Sequence, residues 1–212
     1  MERELALGLC FSDGRINSFD DVKTIEQPDD SAVRIMTGDS RESSHNEIKI
    51  IRSSSGIIKE LNEAIPCVTA EDDMSGIHFS ARLLAGLQDD FYSRQKIFVE
   101  TGATHAAAVY DINGKLVAFA EDVGRHNALD KCIGTLLVER RMKEAVFCML
   151  SSRLSYEMVM KADRAGFPVV AGASAPTGYA VTLARQMGIT LAGFLRKGRF
   201  NLYSGEWRVD MD

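Results

Sequence analysis

Apolar positions change their period along this chain. Over residues 79–98 they recur at helical spacing, at Leu83, Leu84, Leu87 and Phe91, with no proline, and the spacing predicts one helix across that stretch. Two compact apolar runs follow, at 106–110 and 116–120. Asn113-Gly114 between them predicts a hairpin whose two turn positions take positive φ. Residues 127–140 read as a helix, with Asn127 as N-cap and Asp130 at the third helical position. Strand and helix signals then alternate. A strand is predicted at 145–150, a helix at 155–165 ended by Gly166, and a strand at 169–173. A helix at 177–187 ended by Gly188 and strands at 190–195 and 200–203 complete the series. Ahead of residue 79 the signals are weaker: a short apolar helix at 3–11, a strand at 31–36, and a Ser- and Gly-rich stretch at 37–56 with a short strand near Ile48 to Ile51. A hairpin followed by strand–helix alternation predicts an α/β fold, a three-layer sandwich with a mixed, largely parallel sheet. The division expected is a small N-terminal region at 1–78 and an α/β core at 79–212. Ligands of such sheets collect at loops beyond strand C-termini and at helix N-termini.

Composition narrows the class. With 45% hydrophobic residues the chain can bury a full core. No apolar run approaches the roughly 18 residues that span a bilayer. The start, Met1-Glu2-Arg3-Glu4, lacks the apolar stretch of an export signal, so a cytoplasmic location is expected. Cys10, Cys67, Cys132 and Cys148 are scattered without ligand spacing and read as reduced thiols. Pro66-Cys67 has no second cysteine to complete a zinc-deaminase signature, and GxGxxG, P-loop and GxSxG motifs are absent. The net charge of −5 is unevenly spread: residues 153–208 hold eight Lys/Arg against three acids. A basic region on an acidic chain points to a local anion site rather than to nucleic acid, although a solvated helix face gives the same count.

Four polar segments fall just beyond predicted strands or helices. The densest is Glu121-Asp122-Val123-Gly124-Arg125-His126-Asn127-Ala128-Leu129-Asp130-Lys131. Gly124 permits a tight turn, Arg125 and free helix amides can hold a phosphate, and His126 can donate to an anion or shuttle a proton. Asn127 and Asp130 are expected there simply as caps, whereas a cap does not need Asp122, Arg125 or His126. Thr101-Gly102-Ala103-Thr104-His105 suits a backbone-lined anion pocket and equally a plain helix-to-strand connection. Gly193-Phe194-Leu195-Arg196-Lys197-Gly198-Arg199 clusters three cations at a strand end, where a pyrophosphate or only solvent could face them. Ser151-Ser152-Arg153 occupies the same kind of position.

These segments resemble those of the FdhD family. The string from Glu121 to Lys131, preceded by Thr101-Gly102-Ala103-Thr104-His105-Ala106-Ala107-Ala108, is similar to the family's central signature. Ser155-Tyr156-Glu157-Met158-Val159, Ala173-Ser174-Ala175-Pro176-Thr177 and the stretch from Gly193 to Tyr203 are similar to three further blocks. The resemblance implies a cytidine-deaminase-like α/β fold without its zinc, in a cytoplasmic and usually homodimeric protein. It implies the relay of sulfur, as a cysteine persulfide, from a cysteine desulfurase to the molybdenum or tungsten bis-guanine-dinucleotide cofactor, before that cofactor enters the formate dehydrogenase catalytic subunit. The guanine-nucleotide part, for which GDP is a surrogate, would bind at Phe194, Leu195, Arg196, Lys197, Gly198 and Arg199. Thr101, Gly102, His105, Asp122, Gly124, Arg125, His126, Asn127 and Arg153 are the further cofactor-binding candidates, and neither nucleic acid nor membrane is an expected partner.

Two departures stand out. The family's strand-rich stretch ahead of the block at Glu4 to Gly8 has no counterpart in this sequence. Its sulfur-carrying CGxC motif corresponds to Ser55-Gly56-Ile57-Ile58, so both thiol positions, Ser55 and Ile58, are lost. A serine hydroxyl cannot form a persulfide, which needs a polarizable thiolate near neutral pKa. The alternative expectation is therefore a cofactor-binding chaperone without sulfur transfer. A nucleophile relocated to another cysteine is the less favoured variant, because Cys132 and Cys148 fall inside a predicted helix and strand.

Overall fold

The computed structural model describes residues 1–29, 32–38 and 76–211. Among these, helix α1 (Glu2–Ser12) is followed by a hairpin of β1 (Val22–Asp29) and β2 (Ala32–Thr37). After β3 (Phe79–Ser80) come α2 (Ala81–Arg94), α3 (Lys96–Thr101), β4 (His105–Tyr110), β5 (Leu116–Asp122) and α4 (Arg125–Val138). The chain continues through β6 (Phe147–Leu150), α5 (Tyr156–Arg164), β7 (Val169–Gly172), α6 (Gly178–Gln186), β8 (Thr190–Arg196), β9 (Arg199–Ser204) and β10 (Val209–Asp210).

Six strands form the central sheet, in the order β5-β4-β6-β7-β8-β9. Strand β4 lies antiparallel to both neighbours, β6, β7 and β8 are mutually parallel, and β9 returns antiparallel on β8. The expected mixed α/β sheet is therefore present, with β5, β6, β7 and β8 running one way. Alternation along the strands divides the core in two. Ala107, Val109, Cys148, Leu150, Val170 and Leu191 pack with α1, α4, α5 and α6 on one face. Ala108, Tyr110, Phe147, Met149, Val169 and Ala171 pack with α2 on the other. Tyr110 pins α2 by donating its hydroxyl to Asp90 (2.9 Å), which Arg94 grips from the same helix at 2.7 and 2.8 Å.

Several local expectations are revised. The helix predicted over 79–98 is interrupted: residues 79–80 form a strand parallel to β10, and Gln95, at φ −78° and ψ 63°, separates α2 from α3. Ser80 caps α2 through Leu83 N–H. In the β4–β5 turn Gly114 has positive φ (77°) and Asn113 does not. Asp111 organises that loop by accepting from the amides of Asn113 and Lys115. Strand β1 was not predicted, because Val22 to Asp29 alternates poorly and is mostly exposed. The strand expected near Ile48 to Ile51 lies outside the described residues.

Helix α1 belongs to the same hydrophobic cluster as α4, through Leu7 and Phe11. The two helices cross almost backbone to backbone. A β-carbon on Gly8 would lie 1.8 Å from the Asp130 carbonyl oxygen, and one on Gly134 would lie 1.8 Å from that of Glu4. Glycine normally costs a helix about 1 kcal/mol relative to alanine. Here the close approach reverses that sign. Gly134→Ala is expected to destabilise by about 1–3 kcal/mol, as overpacking does; urea denaturation showing a gain instead would mean that the helices separate freely.

Candidate functional site at the carboxyl edge of the sheet

Because β5, β6, β7 and β8 point the same way, the segments that follow them gather on one edge. Hydrogen bonds join them in series. His105 is the register partner of Asp122. Ser151 donates its amide to the Ala106 carbonyl and accepts from the Ala106 amide at 2.8 Å. Leu154 bridges to Pro176, and the Phe194 amide donates to Ser174 O. Arg125, Arg153, Arg196, Lys197 and Arg199 all lie along this edge, and among the described residues none of them makes an ion pair. The α4 turn and the β8–β9 tip are separated by four strand spacings, about 19 Å at roughly 4.8 Å each.

The turn from Asp122 to Lys131 is built around one carboxylate. Asp122 Oδ1 accepts from Gly124 N–H (2.8 Å) and Asn127 Nδ2 (3.0 Å), and Oδ2 meets Lys131 Nζ at 2.5 Å. Burial pushes this carboxyl's pKa up, but Lys131, Gly124 and Asn127 outweigh it and hold the pKa below the usual range. Asp122 thus shapes the turn and presents Arg125. The predicted N-cap at Asn127 is corrected: Gly124 is the N-cap, and Asn127 lies inside α4. Asp130 is not a surface cap either. It is 1% exposed, accepts from Lys161 at 2.5 Å and from Ser12 Oγ at 2.7 Å, and burial raises its pKa against those partners. Glu121 reaches back to cap α3, accepting from Ile97 and Phe98 amides (3.0 and 2.8 Å) and from Thr104 Oγ1. His126 is half-buried; desolvation, Arg125 and Lys161 lower its pKa, while Glu157 opposes them.

The Thr101–His105 segment separates by role. Thr101 bonds the Ile97 carbonyl and the Ala103 amide, and Gly102 takes the left-handed conformation (φ 64°) that ends α3. Gly102, Thr104 and His105 line a cavity of about 320 Å³ together with Tyr92, Gln95 and Phe98. At the other end of the edge, Arg196 pairs with Arg199 across a two-residue turn, Lys197-Gly198, in which both φ values are positive (51° and 71°). Phe194, also at positive φ (54°), breaks the register just before it, so Phe194 and Arg196 are exposed while Leu195 turns into the core. A second cavity, about 430 Å³, lies between this tip and α2, lined by Arg82, Asp89, Gly198 and Phe200. Ser55 and Ile58 lie outside the described residues, as does Cys67. Cys132 and Cys148 are fully buried, and burial raises both thiols, Cys148 to about 12. Cys10 is half-buried and raised by the same cause.

The mixed α/β sheet thus gathers Arg125, Arg153, Arg196, Lys197 and Arg199 along its carboxyl edge. The chain matches the model of the FdhD/NarQ family over residues 1–210 and belongs to that family. It is 37% identical over 214 residues to a protein of Sulfurisphaera tokodaii named sulfur carrier protein FdhD, covering 98% of this chain and 80% of that one. A protein of the same name from Thermoplasma acidophilum is 33% identical, covering 99% and 76%. Among solved structures, a formate dehydrogenase accessory protein from Desulfotalea psychrophila superposes with a TM-score of 0.76 at 22% identity, covering 99% of this chain and 80% of that one, which establishes the shared fold.

Lys131→Met leaves the half-buried Asp122 carboxylate without its cation and is expected to cost about 1–3 kcal/mol at neutral pH. Since the Asp122 pKa is depressed on folding, the loss is full above the unfolded value near 3.8 and fades as pH falls through the lower folded value. Denaturation at pH 7 and pH 3 should show that difference shrinking; an undiminished one would assign the effect to packing. By NMR titration, His126 should ionise below 6.5, and lower still in Glu157→Gln, because Glu157 is the neighbour that favours its charge.

Proposed function

We propose that this chain is an accessory protein of a formate dehydrogenase that holds the molybdenum or tungsten bis-guanine-dinucleotide cofactor along the carboxyl edge of its sheet. The observation that carries this reading is the row of unpaired cations there, from Arg125 and Arg153 to Arg196, Lys197 and Arg199. An edge about 19 Å long suits an extended ligand with phosphates apart better than one compact ion. The guanine-nucleotide part sits at Phe194–Arg199, and Gly102, His105, Gly124, Arg125, His126 and Arg153 serve the rest of the ligand. Asp122, Asn127 and Thr101 act on the backbone around it. The protein works as a cytoplasmic homodimer that delivers its cargo to the dehydrogenase catalytic subunit.

The relatives' names add sulfur carriage, and a cysteine desulfurase would be the donor. In this chain Ser55 and Ile58 offer no thiol, and Cys10, Cys132 and Cys148 have thiols that burial keeps protonated. The reading favoured is a chaperone that binds the cofactor without sulfurating it.

GDP in excess should raise the melting temperature of the native chain, and Arg196→Ala with Arg199→Ala should abolish the rise; no rise in the native chain would refute cofactor holding. After incubation with a cysteine desulfurase and free cysteine, whose sulfur the desulfurase hands on from its own persulfide to an acceptor thiolate, persulfide labelling should be absent from the native protein and appear in the Ser55→Cys, Ile58→Cys double variant. Labelling of Cys67 or any other native cysteine would restore the sulfur-carrier reading.

A further inference from the structure

The cavity of about 320 Å³ at the start of β4 differs in kind from the cationic edge. Its lining offers aromatic rings, an amide, hydroxyls and one imidazole, and no Lys, Arg, Asp or Glu. The Gly102 and Ala103 amides, which a backbone-lined anion pocket would use, are already bonded to Phe98 O and Thr101 Oγ1. Nothing in these walls repays the desolvation of a phosphate. The volume is at the small end of ligand sites and admits one or two fused rings.

The break between α2 and α3 builds this cavity. Tyr92 and Phe98 stand three residues to either side of Gln95, and both line it, each 43% exposed. Glu121 fixes α3 by accepting from the Ile97 and Phe98 amides, and Thr104 Oγ1 donates to the same carboxylate. Gln95 lines the cavity too and is only 2% exposed. Its Nε2 donates to Phe91 O at 3.3 Å. A carbonyl can only accept, so the amide's orientation is set and Oε1 is the atom left over. Among the described residues no donor meets that oxygen. Ser151 has the complementary surplus. Its Oγ accepts from the Ala106 amide at 2.8 Å, and its hydroxyl hydrogen has no acceptor among the described residues. A buried acceptor without a donor costs free energy until something fills it.

We infer that this cavity is a seat for an uncharged, flat heteroaromatic ring of nucleobase or pterin type. Tyr92 and Phe98 supply the stacking surface, Gln95 Oε1 takes a ring N–H, and the Ser151 hydroxyl gives to a ring carbonyl or nitrogen. Glu121 is a positioning residue, since it holds the helix that carries Phe98. The ring comes from a free nucleoside or from the pterin of the cofactor proposed above, and the inference rests on that reading for the source alone. Strand β8, which leads into the Phe194–Arg199 tip, is three strand spacings from β4, about 14 Å at roughly 4.8 Å each. The seat is therefore separate from the guanine site placed at that tip.

The test uses the full chain with two probes that carry no phosphate, guanosine and pterin, followed by calorimetry. At least one should bind saturably, with an affinity unchanged from low to high salt, because no charge is neutralised. Phe98→Ala should weaken that binding about tenfold through lost stacking, and Gln95→Met, close in size, by a similar factor. The Phe98 ring is exposed, so its truncation should leave the melting temperature of the free chain unchanged, which separates a lost contact from a folding defect. Ser151→Ala reads the same polar edge if the α2–α3 junction does not tolerate methionine. Binding of neither probe, or binding that Phe98→Ala or Gln95→Met leaves unchanged, would overturn the seat. A loss seen for guanosine alone assigns the ring to a nucleoside, for pterin alone to the cofactor's pterin, and for both to the edge they share; each supports it. The two readings fail separately. If GDP stabilisation depends on Arg196 and Arg199 while neither probe responds to Phe98 or Gln95, cofactor holding stands and the seat falls. If a probe responds to both while GDP ignores Arg196 and Arg199, the seat stands and the placement of the cofactor falls.

Discussion

The placement of β4, antiparallel between β5 and β6, is the constraint from which the rest of this molecule follows. It sets β5 and β6 running the same way with one strand between them. Two right-handed crossovers then carry that direction through β7 and β8. Four strand ends, and the helices that follow three of them, therefore emerge on a single side. Charge that is dispersed over some 75 residues of sequence, from Arg125 to Arg199, is concentrated along one edge without any residue being selected for proximity. The paired strand ends also leave β4's own first residue, His105, opposite the last residue of β5.

Within that edge, acids arrange and bases await. Asp122 and Glu121 are spent on backbone amides and on Lys131 and Thr104, so their charge is neutralised locally while the geometry they impose is kept. Asp130 does the same one helical turn deeper, tying α4 to α5 and α1 through Lys161 and Ser12. Such pairs contribute little net stability compared with apolar packing, but removing one member of a buried pair is costly. The turn is thus held by an acid-and-base frame, while Arg153, Arg196, Lys197 and Arg199 farther along the edge are exposed.

Much of this was legible in the sequence, and the failures have physical causes. The strand–helix alternation from Ala145 to Tyr203 was readable because β6 and β7 are continuous apolar runs and the helices that follow them stop just ahead of Gly166 and Gly188. The grouping of polar segments beyond strand ends followed from that alternation. What sequence could not supply was the partner across space. Asn127 looked like a cap, but Asp122 had already taken the Gly124 amide through a side chain five residues earlier. Asp130 reads as a cap at the third helical position, since nothing local announces that Lys161 will arrive from another helix. The break at Gln95 was hidden because Leu83 to Phe98 keeps its apolar spacing across it. Opposite charges at Asp122, ahead of the Gly124 turn, and Lys131, two turns into α4, are the sign of the ion pair that the sequence carries.

The Lys197-Gly198 turn has one more consequence. A two-residue turn with both φ values positive forces the residues on either side to face each other, and those residues are Arg196 and Arg199. Their β-carbons then stand about 5 Å apart on the same side of the ribbon, an arrangement that like charges oppose. Lys197 adds a third charge and the strain of a non-glycine residue in the left-handed region. The tip of the hairpin is thereby held at an electrostatic disadvantage. Three like charges and one strained backbone position therefore share a single two-residue turn at the end of the sheet.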